Sequence, residues 1–230
     1  MIQKWAIATT VTAATVLGAL AAPAGAISLG FLESSGGTLE TADRIFSDFF
    51  CDISTDLVGT NTPASCDDID VSILPVGSGN GLKFTGNFFA AEGSFFDARI
   101  EYTATTKDPS KPLTNIGLGF DGQTTNPDGF ATIVETVTVP NTGETLGQLT
   151  VFAPGDLSDP SFEPDDIPFS RPVLQARFEK DILLVNGASI TMITQPSETS
   201  VPEPATGAAL LALGSLGIGS ILKRNHQNKA

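Results

Sequence analysis

Hydrophobic and polar residues alternate with a period of two along most of the chain after Cys66. The clearest run lies at 94–105, where Phe96, Ala98, Ile100 and Tyr102 interleave with Asp97, Arg99, Glu101 and Thr103. That spacing turns one set toward a core and the other toward water, as in a half-buried strand. Similar strands are predicted at 71–74 (ended by Pro75), 82–91, 113–120, 130–139 and 146–152. In 130–139, Ile133, Glu135, Val137 and Val139 share one phase and Val134, Thr136 and Thr138 the other. A final pair, 173–185 and 188–193, flanks Asn186-Gly187, a strong two-residue hairpin signal. Between these segments lie a glycine-rich turn at 77–81, a loop at 107–112 and an acidic, proline-rich loop at 154–168. Short strands separated by glycine and proline turns predict an all-β fold, an antiparallel β-sandwich that is jelly-roll-like. No repeat of fixed period is present.

Ahead of Cys66 the pattern is ambiguous. Leu39, Ala42, Ile45, Phe46, Phe49 and Phe50 recur at helical spacing, with Thr38 or Thr41 placed as an N-cap. A strand and loop is the alternative. The 15 phenylalanines read as core, and each adjacent pair (Phe88-Phe89, Phe95-Phe96) would send one ring to each face of a strand.

Both ends break the alternation with continuous apolar runs. At the N-terminus Lys4 precedes an apolar stretch at 6–22, and Ala24-Gly25-Ala26 offers a small-x-small cleavage site. Residues 1–26 therefore read as a signal helix handled by the Sec translocon and signal peptidase, with the mature chain starting near Ile27. At the C-terminus, residues 205–222 are free of charge. As a helix they span about 27 Å at ~1.5 Å per residue, just short of a hydrocarbon core of about 30 Å. Lys223 and Arg224 follow as a cytoplasmic basic stop in the tail 223–230. Val201-Pro202-Glu203-Pro204 precedes the span. Its prolines hold an extended peptide suited to a protease cleft, with one carboxylate for a basic pocket to read.

The order of Val201, Pro202, Glu203 and Pro204, the apolar helix and Lys223-Arg224 resembles the PEP-CTERM sorting signal of Gram-negative bacteria. The resemblance implies processing by an exosortase, a membrane transpeptidase-like cysteine enzyme, after transient residence in the inner membrane. It implies delivery to the cell surface or extracellular space, often beside exopolysaccharide. A second resemblance covers 129–137, 146–151 and 179–184: the Glu135-Thr136 and Lys180-Asp181-Ile182 elements, followed by Gln195, are similar to globular domains of cyanobacterial PEP-CTERM proteins. It implies a β-rich extracellular domain without an assigned activity. On this reading the body occupies 27–194, with 195–200 a polar linker to the sorting motif.

Charge and composition narrow the chemistry. The chain carries 12 basic and 26 acidic residues, a net charge of −14. Lys4, Lys223, Arg224, Lys229 and Glu203 belong to the two ends, which leaves 8 basic and 25 acidic residues and a net of −17 in the body. Such a surface repels nucleic acid. Cys51 and Cys66 read as one disulfide in an exported chain, with two buried thiols as the alternative. The single histidine, His226, sits in the basic tail. The body thus lacks Ser-His-Asp or Cys-His machinery and histidine-held metals, and the expectation is a non-enzyme. A carboxylate-dependent hydrolase remains as an outside reading, with Glu101 and Glu135 as sample acids whose outward, solvated placement is the simpler expectation. The stretch 77–81 lacks the lysine of a phosphate loop. The expected role is structural, adhesive or exopolysaccharide-associated at the cell surface, without a cofactor. The alternative is a glycan- or Ca²⁺-binding module. For calcium, Asp156, Asp159, Glu163, Asp165 and Asp166 gather oxygen donors in one loop, and Asp67, Asp68 and Asp70 form a second acidic group. For glycans, the body has no tryptophan and one tyrosine, Tyr102, to serve as a stacking platform.

Overall fold

The computed structural model describes residues 25–56, 65–76, 79–155 and 165–199. The signal helix, the Pro-Glu-Pro motif, the C-terminal apolar span and the basic stop lie outside the described residues. Among the described residues, no helix is long and apolar enough to cross a membrane.

Among the described residues, thirteen strands and one short α-helix follow in chain order: β1 (Ile27–Ser28), α1 (Leu29–Ser35), β2 (Leu39–Glu40), β3 (Arg44–Thr55), β4 (Asp70–Val76), β5 (Gly79–Phe89), β6 (Phe95–Thr106), β7 (Leu113–Thr124), β8 (Phe130–Thr138), β9 (Thr145–Pro154), β10 (Asp165–Val173), β11 (Gln175–Val185), β12 (Ala188–Gln195) and β13 (Ser197–Thr199). They form two antiparallel sheets among the described residues. One has the order β1-β4-β5-β12-β7-β10, with β13 also on β7; the other has the order β2-β3-β6-β11-β8-β9. The inner faces meet in one core, so the protein is an all-β antiparallel sandwich.

The core is built by the alternation. Phe96, Ala98, Ile100 and Tyr102 of β6, Phe178 and Ile182 of β11, and Ile133 and Val137 of β8 are buried from one side. Leu82, Phe84 and Phe88 of β5, Ile116 and Leu118 of β7, and Ile190 and Ile193 of β12 are buried from the other. Tyr102 sits at the middle, stacked on Phe178 at 4.9 Å and within 6.1 Å of Phe46, Phe49 and Phe84. Aromatic pairs of this kind add ~0.5–1.5 kcal/mol each beyond area burial. Cys51 on β3 and Cys66, in the 3-10 turn ahead of β4, are joined with Cα atoms 6.1 Å apart, so the disulfide links one sheet to the approach of the other. Asn186 and Gly187 turn the β11–β12 hairpin with φ of 55° and 85°, the left-handed pair that a tight hairpin requires.

The structure departs from the sequence reading in four places. The stretch 39–50 is not helical: it forms β2 and most of β3. A bulge between Ser47 and Phe50, with Asp48 at φ 55°, re-phases β3. Phe46 and Phe49 then both face inward, and their spacing of three imitates a helix. The acidic loop ends early, because β10 starts at Asp165 and pairs with β7. Of the expected linker 195–200, residues 195–199 are described and are not free: Gln195 ends β12 and is 1% exposed, and β13 pairs with β7. Finally, phenylalanine is not confined to the core, since Phe31, Phe50 and Phe152 are exposed.

Candidate functional site

On the outer face of the six-stranded sheet, β3, β6 and β11 run side by side in fixed register. Phe50 lies opposite Glu101, which lies opposite Glu179; one step along, Thr103 faces Arg177, and in the other direction Arg99 faces Asp181. Of these, Phe50, Arg99, Glu101, Thr103 and Arg177, together with Asp48 and Pro140, line an open cleft of about 340 Å³. The β3 bulge helps shape it by carrying Asp48 and Phe50 outward.

Glu101 is the centre of the arrangement. Two like charges directly opposite each other, as Glu101 and Glu179 are, destabilise a sheet unless a cation intervenes. Arg99 supplies it, with its Nη2 at 2.6 Å from Glu101 Oε1 and 3.0 Å from Glu179 Oε1. The Arg177 guanidinium donates to Glu101 Oε2 from the other side. The hydrogen bond to Glu101, with nearby Glu179 and Asp48, holds the Arg177 pKa above the ordinary arginine value. Glu101 is thereby almost covered, while both guanidiniums stay half-exposed. The cleft thus offers N–H donors fixed by a hidden carboxylate, a carboxylate acceptor at Asp48, the Thr103 hydroxyl, and the Phe50 ring at 40% exposure. Further along the same face, burial and the Asp181 and Asp52 charges push the Asp97 carboxyl up.

The two acids sampled for hydrolytic chemistry are not a pair. Glu101 is on the outer face as expected but is 3% exposed rather than solvated, because Arg99 and Arg177 cover it, whereas Glu135 belongs to the inner phase of β8 and is fully buried. The expectation that Glu135 is outward and solvated is therefore corrected: its partner on β11 is Lys180, also inward, and the burial of one requires the other. The structure brings Glu135, Lys180 and Gln195 together in the core, although they lie in three separate sequence elements. A charged residue in the inward phase was the available signal for both Glu135 and Lys180.

The calcium donors are divided. Asp156, Asp159 and Glu163 lie outside the described residues; Asp165 opens β10, and Asp166, exposed on the same strand, accepts a hydrogen bond from Asn115 Nδ2 at 3.4 Å. In the second acidic group, Asp68 caps the 3-10 turn by accepting from the backbone N–H and hydroxyl of Ser65 at 3.1 and 2.8 Å, and these bonds lower its pKa. Among the described residues, no group of three or more His, Cys, Asp or Glu side chains is arranged to hold a metal ion.

No protein-family model matches the chain, and no curated protein matches it. Solved structures do show similarity. One is the carbohydrate-binding module TmCBM61 in complex with β-1,4-galactotriose, at TM-score 0.35 and 10% identity, covering 64% of this chain and 88% of that one. A second comes from a study of promiscuous carbohydrate-binding modules of the β-sandwich superfamily, at TM-score 0.31 and 12% identity, covering 72% and 58%. A third is a family 11 carbohydrate-binding module from Clostridium thermocellum with a β-1,3-1,4-mixed-linked tetrasaccharide, at TM-score 0.25 and 13% identity, covering 70% and 93%. TM-scores this low carry no inference from those proteins to this one.

Proposed function

We propose that this protein is an exported, non-catalytic glycan-binding module whose binding surface is the cleft on the outer face of the six-stranded sheet. The observation that carries the reading is the fixed Arg99–Glu101–Arg177 group beside the exposed Phe50 ring. A sugar hydroxyl both donates and accepts. The cleft sets guanidinium donors next to carboxylate acceptors, and Phe50 provides an apolar surface for the C–H face of a pyranose. Cleft carboxylates balance the arginines and the body is strongly acidic, so a neutral glycan fits better than a polyanion. Phenylalanine takes the stacking place for which a tryptophan or second tyrosine was wanted.

Sorting supplies the setting. The Pro-Glu-Pro signal and its apolar helix would deliver the module through exosortase to the cell surface or matrix, where holding exopolysaccharide is an adhesive and structural role. Calcium at Asp156, Asp159, Glu163, Asp165 and Asp166 is a separate reading, supported by the density of acids there. A thermal melt that does not shift in millimolar Ca²⁺ removes it. The glycan reading is tested by titrating the exported protein against neutral polysaccharides and following heat or intrinsic Tyr102 fluorescence. Binding lost in both Arg177→Ala and Phe50→Ala supports it. Binding retained in both variants, or absent in the wild type across neutral and acidic glycans, overturns it.

A further inference from the structure

The interior holds three functional groups that the glycan reading does not use. Lys180 on β11 and Glu135 on β8 face each other across the six-stranded sheet, with Lys180 Nζ 3.2 Å from Glu135 Oε1. Gln195, at the end of β12 in the opposite sheet, donates from Nε2 to Glu135 Oε2 at 2.8 Å and to the Gly117 carbonyl at 3.2 Å. One carboxylate therefore touches a primary amine with one oxygen and a primary carboxamide with the other. Lys180 and Glu135 are 0% exposed and Gln195 is 1% exposed. The Phe84 and Tyr102 rings lie over the ammonium, with centroids at 5.6 and 5.1 Å. Among the described residues, Gln195 Oε1 has no hydrogen-bond partner, and Lys180 Nζ and Glu135 Oε1 have only their ion contact with each other, an expensive state for buried polar atoms.

The backbone delivers Gln195 here by two local devices. Register shifts between Ile190 and Met192, where Thr191 is an extra residue against β7. Before the shift Ala188 and Ile190 face inward; after it Ile193 and Gln195 do. On β5, Gly81 leaves room for the incoming strand, because a Cβ there would sit 1.9 Å from the Gln195 carbonyl oxygen.

We propose that Lys180 and Gln195 condense into an intramolecular isopeptide bond, with Glu135 as the acid–base group that moves the protons. Glu135 first takes a proton from the Lys180 ammonium, which frees the Nζ lone pair. Nζ attacks the Gln195 side-chain carbonyl carbon, forming a new C–N bond and a tetrahedral centre. Glu135 gives a proton to Nε2 and takes one from Nζ. The C–Nε2 bond then breaks, the carbonyl re-forms and Nε2 leaves as ammonia, which departs as ammonium with the remaining proton of Glu135. No oxidant or co-reactant is needed. The site favours this chemistry because burial drives the Lys180 pKa down and the Glu135 pKa up, toward neutral amine and neutral acid. Burial also keeps water from competing for the carbonyl. The product is a covalent strut between the two sheets, through the core, near the point where the chain leaves the sandwich.

The test is intact-mass and peptide-map analysis of the full chain, reduced and denatured. The expected result is a chain lighter than its sequence by one ammonia, in which trypsin fails to cut after Lys180 and a looped peptide joins Lys180 to Gln195. Cyclic imide formation at Asn186-Gly187 loses the same mass but leaves Lys180 cleavable, so it is told apart by the map. Glu135→Gln and Lys180→Arg, which keep side-chain volume near wild type, should both show the full sequence mass. A wild-type chain of full mass, or one cut normally after Lys180, overturns the proposal without any variant having to fold. A Glu135→Gln chain cross-linked as completely as the wild type overturns the role given to Glu135.

Discussion

Glu101 and Glu135 sit on opposite faces of the same six-stranded sheet, and each is nearly or wholly hidden from water. Glu101 is covered by two guanidiniums that stay half in solvent. Glu135 is covered by the core itself and meets one ammonium and one carboxamide. The outer carboxylate is a brace: its partners keep their hydration, and it holds them in position for something arriving from outside. The inner carboxylate has no such relief, and the desolvation of its group must be offset by direct contact. Burial alone therefore does not say what an acid does in this fold; the solvent reached by its partners does.

The comparison is broken most strongly at the inner site. In a Gln195→Ala background, which excludes the cross-link, Lys180→Met strands a buried carboxylate and should cost ~3–5 kcal/mol, whereas adding Glu135→Leu in the same chain should restore most of that loss. Urea midpoints of the two variants measure it, and an equal loss in both would place the effect in packing rather than charge. Next is the link between the sheets: replacing Cys51 and Cys66 by alanine opens a cross-link of sequence separation 15, for which chain entropy predicts ~3 kcal/mol. At the outer face, Arg177→Ala should weaken glycan binding about tenfold or more, equivalent to ~1.4 kcal/mol, with little change in melting temperature. Glu101→Gln, which leaves its arginines in water, should cost at most ~1 kcal/mol of stability while also loosening binding.

The smallest expected effect is a titration. Asp97 has a folded pKa raised above the unfolded value by burial and by Asp181 and Asp52. A raised carboxyl contributes stability that is present below the unfolded pKa of 3.8 and is lost as pH rises through the folded pKa. Asp97→Asn should therefore raise stability by a few tenths of a kcal/mol at neutral pH and by nothing near pH 3. Thermal melts at the two pH values check it; a gain that is the same at both would assign it to something other than charge.

Much of the sandwich was legible because alternation is a local signal. Strands β4 to β9 and the β11–β12 hairpin follow from residue spacing, and the cysteine pair from the expectation of export. Two of the failures share one cause. A bulge adds a residue and resets the alternation, which turned Phe46 and Phe49 into an apparent helix and hid the inward phase of Gln195. The cleft was illegible for another reason. Arg99, Glu101 and Arg177 are made neighbours by β6–β11 register, and nothing within either strand names its partner. Glu135 and Lys180 stand between these cases: their inward phase was visible, but only pairing shows that each answers the other.

β13 carries one more consequence. The last described residues, Ser197–Thr199, are hydrogen-bonded to β7, which also holds β12 on one flank and β10 on the other. Pulling on the chain at Thr199 would thus act directly on the sandwich. It would load a strand paired on both flanks along its length, and several rows of hydrogen bonds would have to slide together before the body yielded.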